Sequence, residues 1–482
     1  MHIRNFCGGC GHRYVLCALA FWTLGTMGCS ILLDGGPLSE GKFYVQRLDT
    51  NRFDVIDAEK LYTGEHCIIY KDSRLDNSYL GQNVSSFTNE FDTVIYPRVT
   101  GCFGEPLDVD RNGKIIILLL EIKSSGGGDT TKGYFWSGDM YETVDYSNRA
   151  DMLYIDGTDV NIGSSNNYTY ETVAHELQHL INFSARFTMQ KEAMETWIDE
   201  GLSTAAEYVY LGRHPTLRVD WFNISTTAVR NGNTFFFWNR ASNQEDKNDD
   251  TRVTDYASAY AFFQWLRIQA AEGDTAGAAG GEIFRDIIGS PYSDCRAVTN
   301  AIVPRLLERD GYAEWAAWRG KYGDWPALLG AWFAANLLCD ASGPYGYKGD
   351  AGIRPVIKSP NTQTFNTLLL SPGEGVYSMT TASSKFSNLS NKIPGETGHI
   401  HYLYVKDSSV TFTRSLGEDV FAGGKTRIIS FNANTASNGD REAAWVDGDI
   451  EDFSRSAAPR ESGTTPAPRL WVCGTARARG GR

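Results

Sequence analysis

Basic residues are in short supply in this chain. Its 482 residues include 45 lysines and arginines against 58 aspartates and glutamates, which gives a formal net charge of −13 at pH 7. A surface with this excess of negative charge repels nucleic-acid phosphates and gains no attraction from an anionic membrane. The composition therefore argues against nucleic acid as a partner and against membrane binding by charge.

Long apolar runs are also scarce. Beyond the first thirty residues no segment could span a membrane, and the run from Tyr14 to Leu24 is itself too short to do so comfortably. It follows a weakly basic start, as in a secretory signal. The segment from Leu24 to Cys29 resembles a relaxed bacterial lipobox, which implies cleavage before Cys29 and lipidation of its thiol. We expect an exported lipoprotein anchored to a bacterial membrane, periplasmic or at the cell surface. A plain signal peptide or an export anchor is the alternative.

Cysteine is limited to nine residues, of which the signal would remove three and the lipid would occupy Cys29. An odd set of five remains: Cys67, Cys102, Cys295, Cys339 and Cys473. Two disulfides are possible in an exported protein, Cys67–Cys102 and Cys295–Cys339, and buried free thiols are the alternative.

Histidine is scarce as well, with eight residues, yet two of them stand four apart in His175-Glu176-Leu177-Gln178-His179. The flanking residues predict a helix, on which positions four apart share one face. His175 and His179 can therefore present two imidazole nitrogens to one metal ion, with Glu176 beside the open position of that ion. This pattern is typical of zinc hydrolysis, in which a carboxylate takes a proton from a zinc-activated water.

A third ligand is available in a second helix-compatible segment, from Glu195 to Tyr208. Glu200 is the candidate. The small residues Gly201 and Ser203 follow it, and we expect them to let this helix approach the metal-bearing one.

These motifs carry a family resemblance. The His-Glu-x-x-His stretch followed by Trp197-Ile198-Asp199-Glu200-Gly201 resembles the gluzincin metallopeptidases, and the span from about Gly64 to Lys348 looks like the hyicolysin-type family of secreted bacterial metallopeptidases. The resemblance implies one zinc ion per chain on His175, His179 and Glu200, with Glu176 as the general base. In the aminopeptidase branch a downstream tyrosine stabilises the oxyanion. Tyr256 stands in the matching place, and Tyr260 lies one helical turn away.

The resemblance also indicates how a substrate would bind. The strand from Asp151 to Gly157, just before the metal helix, corresponds to a sheet edge to which a peptide adds by strand pairing. The aminopeptidase sequence Gly-x-Met-Glu-Asn is absent from this stretch. We therefore expect a protein or peptide substrate and endopeptidase activity.

A second metal site is suggested by Asp108, Asp110 and Asn112, which place oxygen atoms at alternate positions before Gly113, as at the start of a calcium loop. The closing glutamate of such a loop is missing, because Leu119 holds the twelfth position. Calcium binding and a tight turn into the next strand are both compatible with this segment.

The chain has enough apolar residues, 42%, for two or three domains. We expect an α+β fold: a zincin-like metallopeptidase domain, with a mixed sheet and a helical half, followed by a small β-sandwich-like domain. The predicted divisions are a signal segment (1–28), a tether (29–50), the peptidase domain (51–350), the β-rich domain (351–450) and a disordered tail (451–482).

Two other functions remain open at this level. The fold could serve a non-catalytic surface lipoprotein, an adhesin or binding module. It could also serve a zinc hydrolase that acts on something other than peptides.

Overall fold

The computed structural model of the chain describes residues 38–76, 78–123, 130–158, 168–224, 234–236, 251–271, 279–350, 352–353, 355, 367–380, 398–406, 409–417, 420, 426–436, 442–445 and 471–472. The predicted signal segment, Cys29 and most of the predicted tail lie outside these residues. Among the described helices, none combines the length and apolar character needed to cross a membrane.

The first half of the described chain builds a sheet with four helical segments. Its elements are β1 (Lys42–Arg47), β2 (Arg52–Thr63), β3 (Cys67–Asp72), α1 (Ser78–Glu90), a π-helical turn (Phe91–Ile95), α2 (Tyr96–Phe103), β4 (Ile115–Leu120), β5 (Thr130–Thr131), β6 (Gly133–Tyr134), a short 3-10 helix (Ser137–Met140) and β7 (Met152–Asp156). Six strands form one mixed sheet in the order β1-β2-β3-β4-β7-β6. The centre is parallel, since β4 pairs in parallel with β3 and β7. All six residues of β4 are buried, as expected for a strand covered on both faces.

The edge of this sheet differs from the prediction. The Asp151–Gly157 segment was expected to be the edge strand, but β7 lies inside the sheet, between β4 and β6. The outer position belongs to β6, which pairs antiparallel with β7 through Gly133 and Tyr134. The resemblance gave the wrong edge strand, and the sequence could not correct it, because β6 is only two residues long and follows a glycine-rich stretch.

The second half is helical. Its elements are α3 (Thr169–Thr188), α4 (Thr196–Leu211), α5 (Thr216–Ile224), α6 (Thr251–Ala270), α7 (Glu282–Ile288), α8 (Cys295–Leu307), α9 (Ala313–Tyr322) and α10 (Asp324–Leu338). Helix α3 packs on β7 and α4, and α4 packs on α6. The sequence predicts helices over Gly281–Ile288, Cys295–Arg309, Tyr312–Tyr322 and Pro326–Leu338, and the bounds of α7 to α10 agree with them to within about two residues, a margin typical of helix ends. The stretch from Arg213 to Asp250 was predicted to be mostly irregular, with a strand from Thr234 to Trp238. Both predictions were wrong: α5 forms in this stretch, and the described part of the predicted strand, residues 234–236, contains a turn.

The C-terminal strands are β8 (Thr367–Leu370), β9 (Gly375–Thr380), β10 (Ile400–Lys406), β11 (Ser409–Thr413), β12 (Thr426–Asn432), β13 (Glu442–Trp445) and β14 (Trp471–Val472). Four of them form an antiparallel sheet in the order β11-β10-β12-β9, and β8 pairs with β13. One hydrophobic cluster joins residues of both sheets, including Leu370, Val376, Ile428 and Ala444. In the tail, β14 pairs in parallel with β5. The division into two domains stays a prediction.

The four-stranded sheet also contacts the helical half. The ring centroids of Phe431 and Phe333 lie 5.4 Å apart, and the Tyr377 hydroxyl donates a hydrogen bond to the Phe333 carbonyl at 3.1 Å. Gly375 approaches the Phe333 ring so closely that an added Cβ would lie 2.4 Å from Cζ. The core of the helical half is therefore continuous with the apolar residues of this sheet.

The cysteines do not form the suggested pairs. Cys67, Cys102, Cys295 and Cys339 are free thiols. Burial raises the pKa of Cys102 and of Cys295 to about 12, so both remain protonated at neutral pH. The alternative of free thiols is the one found for these four residues.

Candidate active site

Helix α3 carries the His-Glu-x-x-His motif in its middle, where the helix is buried. His175, Glu176 and His179 are each at most 2% exposed. The two imidazole ring centroids lie 4.9 Å apart, because positions four apart on a helix stack on one face. The two Nε2 atoms therefore face the same region, beside helix α4.

Helix α4 brings Glu200 to this face. Its Oε2 atom lies 3.3 Å from His175 Nε2 and 3.4 Å from His179 Nε2. With bonds of about 2.0–2.1 Å, two ligand atoms of a tetrahedral zinc site are about 3.3–3.4 Å apart. These three donor atoms thus fit a zinc ion, and their chemistry, two imidazoles and one carboxylate, suits that metal.

The remaining ring nitrogen of His175 also has a carboxylate partner. His175 Nδ1 lies 2.9 Å from Glu207 Oε1, two turns further along α4 than Glu200. Glu207 is in turn bound by Arg218 of α5 through two hydrogen bonds, of 3.0 and 2.6 Å. A carboxylate on Nδ1 selects the tautomer that leaves Nε2 available for a metal.

His179 is held in a similar way. Its Nδ1 lies 3.1 Å from Asp199 Oδ2 and 3.0 Å from the Ser203 hydroxyl. From their places one or two turns beyond Glu200, the sequence predicts Ser203, Thr204 and Glu207 as partners that fix the histidine tautomers. Ser203 and Glu207 lie beside the histidines, and Asp199 had not been singled out. Thr204, the third expected partner, donates instead to the Gly201 carbonyl within its own helix.

The site concentrates negative charge around the two imidazoles. Burial lowers the pKa of His175, but hydrogen bonds from its ring to Glu200 and Glu207 outweigh this effect and raise that pKa above its ordinary value. Burial likewise opposes protonation of His179, yet Asp199 and Glu200 raise its pKa well above the usual range. These buried carboxylates favour a positive charge at the imidazoles, and a divalent cation would displace the protons that they otherwise attract.

Glu176 is fully buried beside strand β6. A Cβ added to Gly133 would lie 3.0 Å from Glu176 Cγ and 2.7 Å from Thr172 Cγ2. The backbone of β6 therefore passes directly against the helix turn that carries Glu176, and only glycine allows this approach.

The two candidate tyrosines of α6 have different surroundings. The Tyr256 ring centroid lies 6.1 Å from that of His175, whereas the Tyr260 hydroxyl lies 2.5 Å from His214 Nδ1. His214 contacts Asp350 through its other nitrogen, at 3.0 Å. Tyr256 is thus the one beside the His-His-Glu group, and Tyr260 belongs to a separate buried hydrogen-bond chain.

Gly201 has a different neighbour from the one expected. An added Cβ at this position would lie 2.3 Å from Phe263 Cε2 on α6. Of the two small residues, Ser203 is the one that faces α3, and its hydroxyl donates to Gln178 Oε1. The glycine therefore allows α4 and α6 to pack closely, and the approach of α3 to α4 depends on other residues.

The suggested calcium loop forms a tight turn. Asp108 and Asp110 each place a carboxylate oxygen close to one of Asp151, a carboxylate that the sequence had not linked to them. The side-chain amide of Asn112 donates to Asp110 Oδ2 at 2.6 Å, and its Oδ1 accepts the Lys114 N–H at 2.6 Å. Asn112 thus stabilises the turn with its own oxygen, and calcium binding here stays a prediction.

Sequence reasoning missed Arg218 as well as Asp199. Arg218 lies on α5, in the stretch predicted to be irregular, and contacts Glu207 and the Tyr256 ring. The available signal was Pro215 before a run with Leu217 and Trp221 four apart, which is typical of a short helix start.

A mixed sheet, two closely packed helices and a buried His-His-Glu group together define the class of this protein, a metallopeptidase. The chain is similar to the neutral metalloprotease ShpI of Staphylococcus hyicus, with 29% identity over 340 residues that cover 68% of this chain and 69% of that protein. No protein-family model matches the chain. The resemblance predicted from the motifs is confirmed by this similarity, which supports a hyicolysin-like metallopeptidase.

Proposed function

We propose that the protein is a zinc endopeptidase in which His175, His179 and Glu200 hold one zinc ion. The observation that supports this most directly is the pair of 3.3 and 3.4 Å distances from Glu200 Oε2 to the two imidazole nitrogens. Zinc bound there would lower the pKa of a coordinated water and polarise the scissile carbonyl.

Glu176 is the proposed general base. It adjoins His175 on α3, one turn before His179, and its Cγ lies against Gly133 of the outer strand β6. It would take a proton from the attacking water and return that proton to the leaving amine as the carbon–nitrogen bond breaks.

Tyr256 is the proposed donor to the oxyanion. Its ring adjoins His175, and a phenolic hydroxyl aimed at the developing negative charge stabilises the transition state. Tyr260 is less suited to this role, because its hydroxyl already interacts with His214.

The substrate would bind along β6. This strand is the outer strand of the six-stranded sheet, and Gly133 brings its backbone against the turn that carries Glu176. An extended peptide that pairs with this edge would pass beside the proposed base, which favours proteins and peptides over other substrates. Endopeptidase activity rests on the absence of the aminopeptidase Gly-x-Met-Glu-Asn sequence.

The proposed location follows from the N-terminal segment. An apolar run that ends near Cys29 supports export and lipid anchoring to a bacterial membrane through that thiol. Metabolic labelling with a fatty acid, compared between the natural chain and Cys29→Ala, tests the anchor directly.

The test of the activity uses the chain without residues 1–28. We expect close to one zinc per chain by elemental analysis and cleavage of unfolded casein. Glu176→Gln keeps the side-chain shape and should retain zinc while losing cleavage by about 100-fold or more. Glu308→Gln, the same change at an exposed position, serves as the control. Zinc without cleavage of casein in the natural chain would instead support a binding module, and absence of zinc would overturn the site.

A further inference from the structure

We propose that Arg218 is a positioning residue that fixes the Glu207 carboxylate and, through it, the metal-binding orientation of His175. This inference rests on the proposed zinc site. Arg218 binds Glu207, and Glu207 lies beside His175 Nδ1, so this carboxylate links the guanidinium to one of the three proposed ligands.

The first observation is the geometry of the Arg218–Glu207 pair. Arg218 Nε donates to Glu207 Oε2 at 3.0 Å, and Nη2 donates to Oε1 at 2.6 Å. This two-point contact fixes the plane of the carboxylate as well as its position, which a single hydrogen bond does not. Both side chains are largely buried, with 12% and 6% of their surfaces exposed, so water competes little for the contact.

The second observation is that one oxygen serves two partners. Glu207 Oε1 accepts from Arg218 and also lies 2.9 Å from His175 Nδ1. Rotation of the carboxylate would therefore change the hydrogen bond to His175. Since that bond selects the His175 tautomer and the direction of Nε2, the guanidinium governs the availability of this nitrogen for zinc.

The third observation is that the guanidinium itself is held in place. Its Cζ atom lies 4.9 Å from the centre of the Tyr256 ring, within the range of a cation–π contact. Arg218 is carried by α5, whereas Glu207 is on α4 and Tyr256 is on α6. The orientation of one proposed ligand on α3 thus depends on three further helices.

The experiment compares Arg218→Ala and Arg218→Lys with the natural chain lacking residues 1–28. Zinc affinity is measured by competition with dipicolinate, and kcat and KM are measured on a quenched fluorescent peptide at saturating zinc. We expect Arg218→Ala to bind zinc roughly 10- to 100-fold more weakly and to lose kcat, with KM changed by less than about twofold. Arg218→Lys keeps the charge but lacks the planar fork of donors, so its zinc affinity and kcat should lie between those of Arg218→Ala and of the natural chain.

Two further measurements separate positioning from general damage to the fold. Millimolar guanidinium should restore part of the kcat of Arg218→Ala and leave the natural chain unchanged. The loss caused by Arg218→Ala should be much smaller in a Glu207→Gln background, because the two residues act through one contact. Arg213→Ala removes an exposed arginine from the preceding connection and should behave as the natural chain.

The proposal is overturned by natural zinc affinity and kcat in Arg218→Lys together with additive effects of the Arg218 and Glu207 changes. A loss confined to KM would also overturn it, since that result would make Arg218 a substrate contact. Failure of the proposed function is distinguishable, because the natural chain would then bind no zinc, or would bind zinc without cleaving the peptide, before any variant is compared.

Discussion

Replacing Gly133 by alanine should damage both the fold and the site, because this glycine sets the distance between β6 and α3. The new Cβ would lie 2.7 Å from Thr172 Cγ2, 3.0 Å from Glu176 Cγ and 3.2 Å from Ile155 Cδ1. Carbon atoms at optimal separation are about 3.5–4.0 Å apart. Either the strand or the helix must therefore move by roughly 1 Å, and Glu176 lies at the point of contact.

We expect Gly133→Ala to lower the free energy of unfolding by about 1–3 kcal/mol, which is typical of overpacking. A displacement of about 1 Å at a catalytic group can reduce the rate by roughly 100-fold. Urea unfolding gives the first quantity, and cleavage of a quenched fluorescent peptide gives the second. Zinc content should stay near that of the natural chain, because the atoms nearest to the new Cβ belong to Thr172, Glu176 and Ile155, none of which is a proposed ligand.

Gly320→Ala is the matched control for this prediction. No atom of the described structure lies within 4 Å of the Cβ position at Gly320, which is in the exposed last part of α9. Alanine there should leave cleavage unchanged and stabilise the helix by at most about 1 kcal/mol. Natural stability and natural cleavage in Gly133→Ala would refute the close contact between β6 and Glu176.

Two further predictions concern one partly exposed and one fully buried carboxylate. Asp199→Asn removes the charge 3.1 Å from His179 Nδ1, so zinc should bind roughly 10-fold more weakly in dipicolinate competition. The loss should be limited because the Ser203 hydroxyl also contacts this nitrogen. Unchanged zinc affinity would show that Asp199 does not orient His179. Asp139 is fully buried, and burial raises its pKa to about 7, against about 3.9 in the unfolded chain. The contribution of this carboxyl group to stability is therefore fully present below pH 4 and is lost as the pH rises through 7. Asp139→Asn should therefore reduce the decline in unfolding free energy between pH 5 and 8 by about 2–3 kcal/mol, and an unchanged pH profile would contradict the raised pKa.

The helix that carries the metal motif could be predicted because its signal is local. Histidines four apart within a helix-compatible run predict both the element and the face that it presents. Glu200 could be located for a related reason: its helix-compatible run continues from Thr196 to Leu211 and ends at Gly212, which adopts a left-handed conformation with φ of 66°.

Strand order could not be predicted in the same way. The signal for β7 was a short apolar run, which indicates a strand but not its neighbours. The edge position of β6 depends on two residues whose pairing with β7 is a long-range contact. The prediction that Gly201 faces α3 was wrong for the same reason. The ring beside this glycine belongs to Phe263 of α6, more than sixty residues away in the chain.

The role of α5 was missed because Arg218 carries no motif. An arginine in a stretch without clear periodicity resembles any surface arginine until Glu207 and Tyr256 are placed next to it. Local patterns identified the residues proposed to hold the metal, whereas the residues that orient them emerge only from the packing of helices distant in sequence.

The C-terminal strands cover an apolar side of helix α10. From Trp325 to Leu338, almost every side chain of this helix is buried, and Phe333 is covered by Gly375, Tyr377 and Phe431 of the four-stranded sheet. A protein cut near residue 350 would leave this apolar side of α10 facing water. Recombinant fragments that end there should aggregate, and an engineer who wishes to transplant the peptidase must take the strands with it.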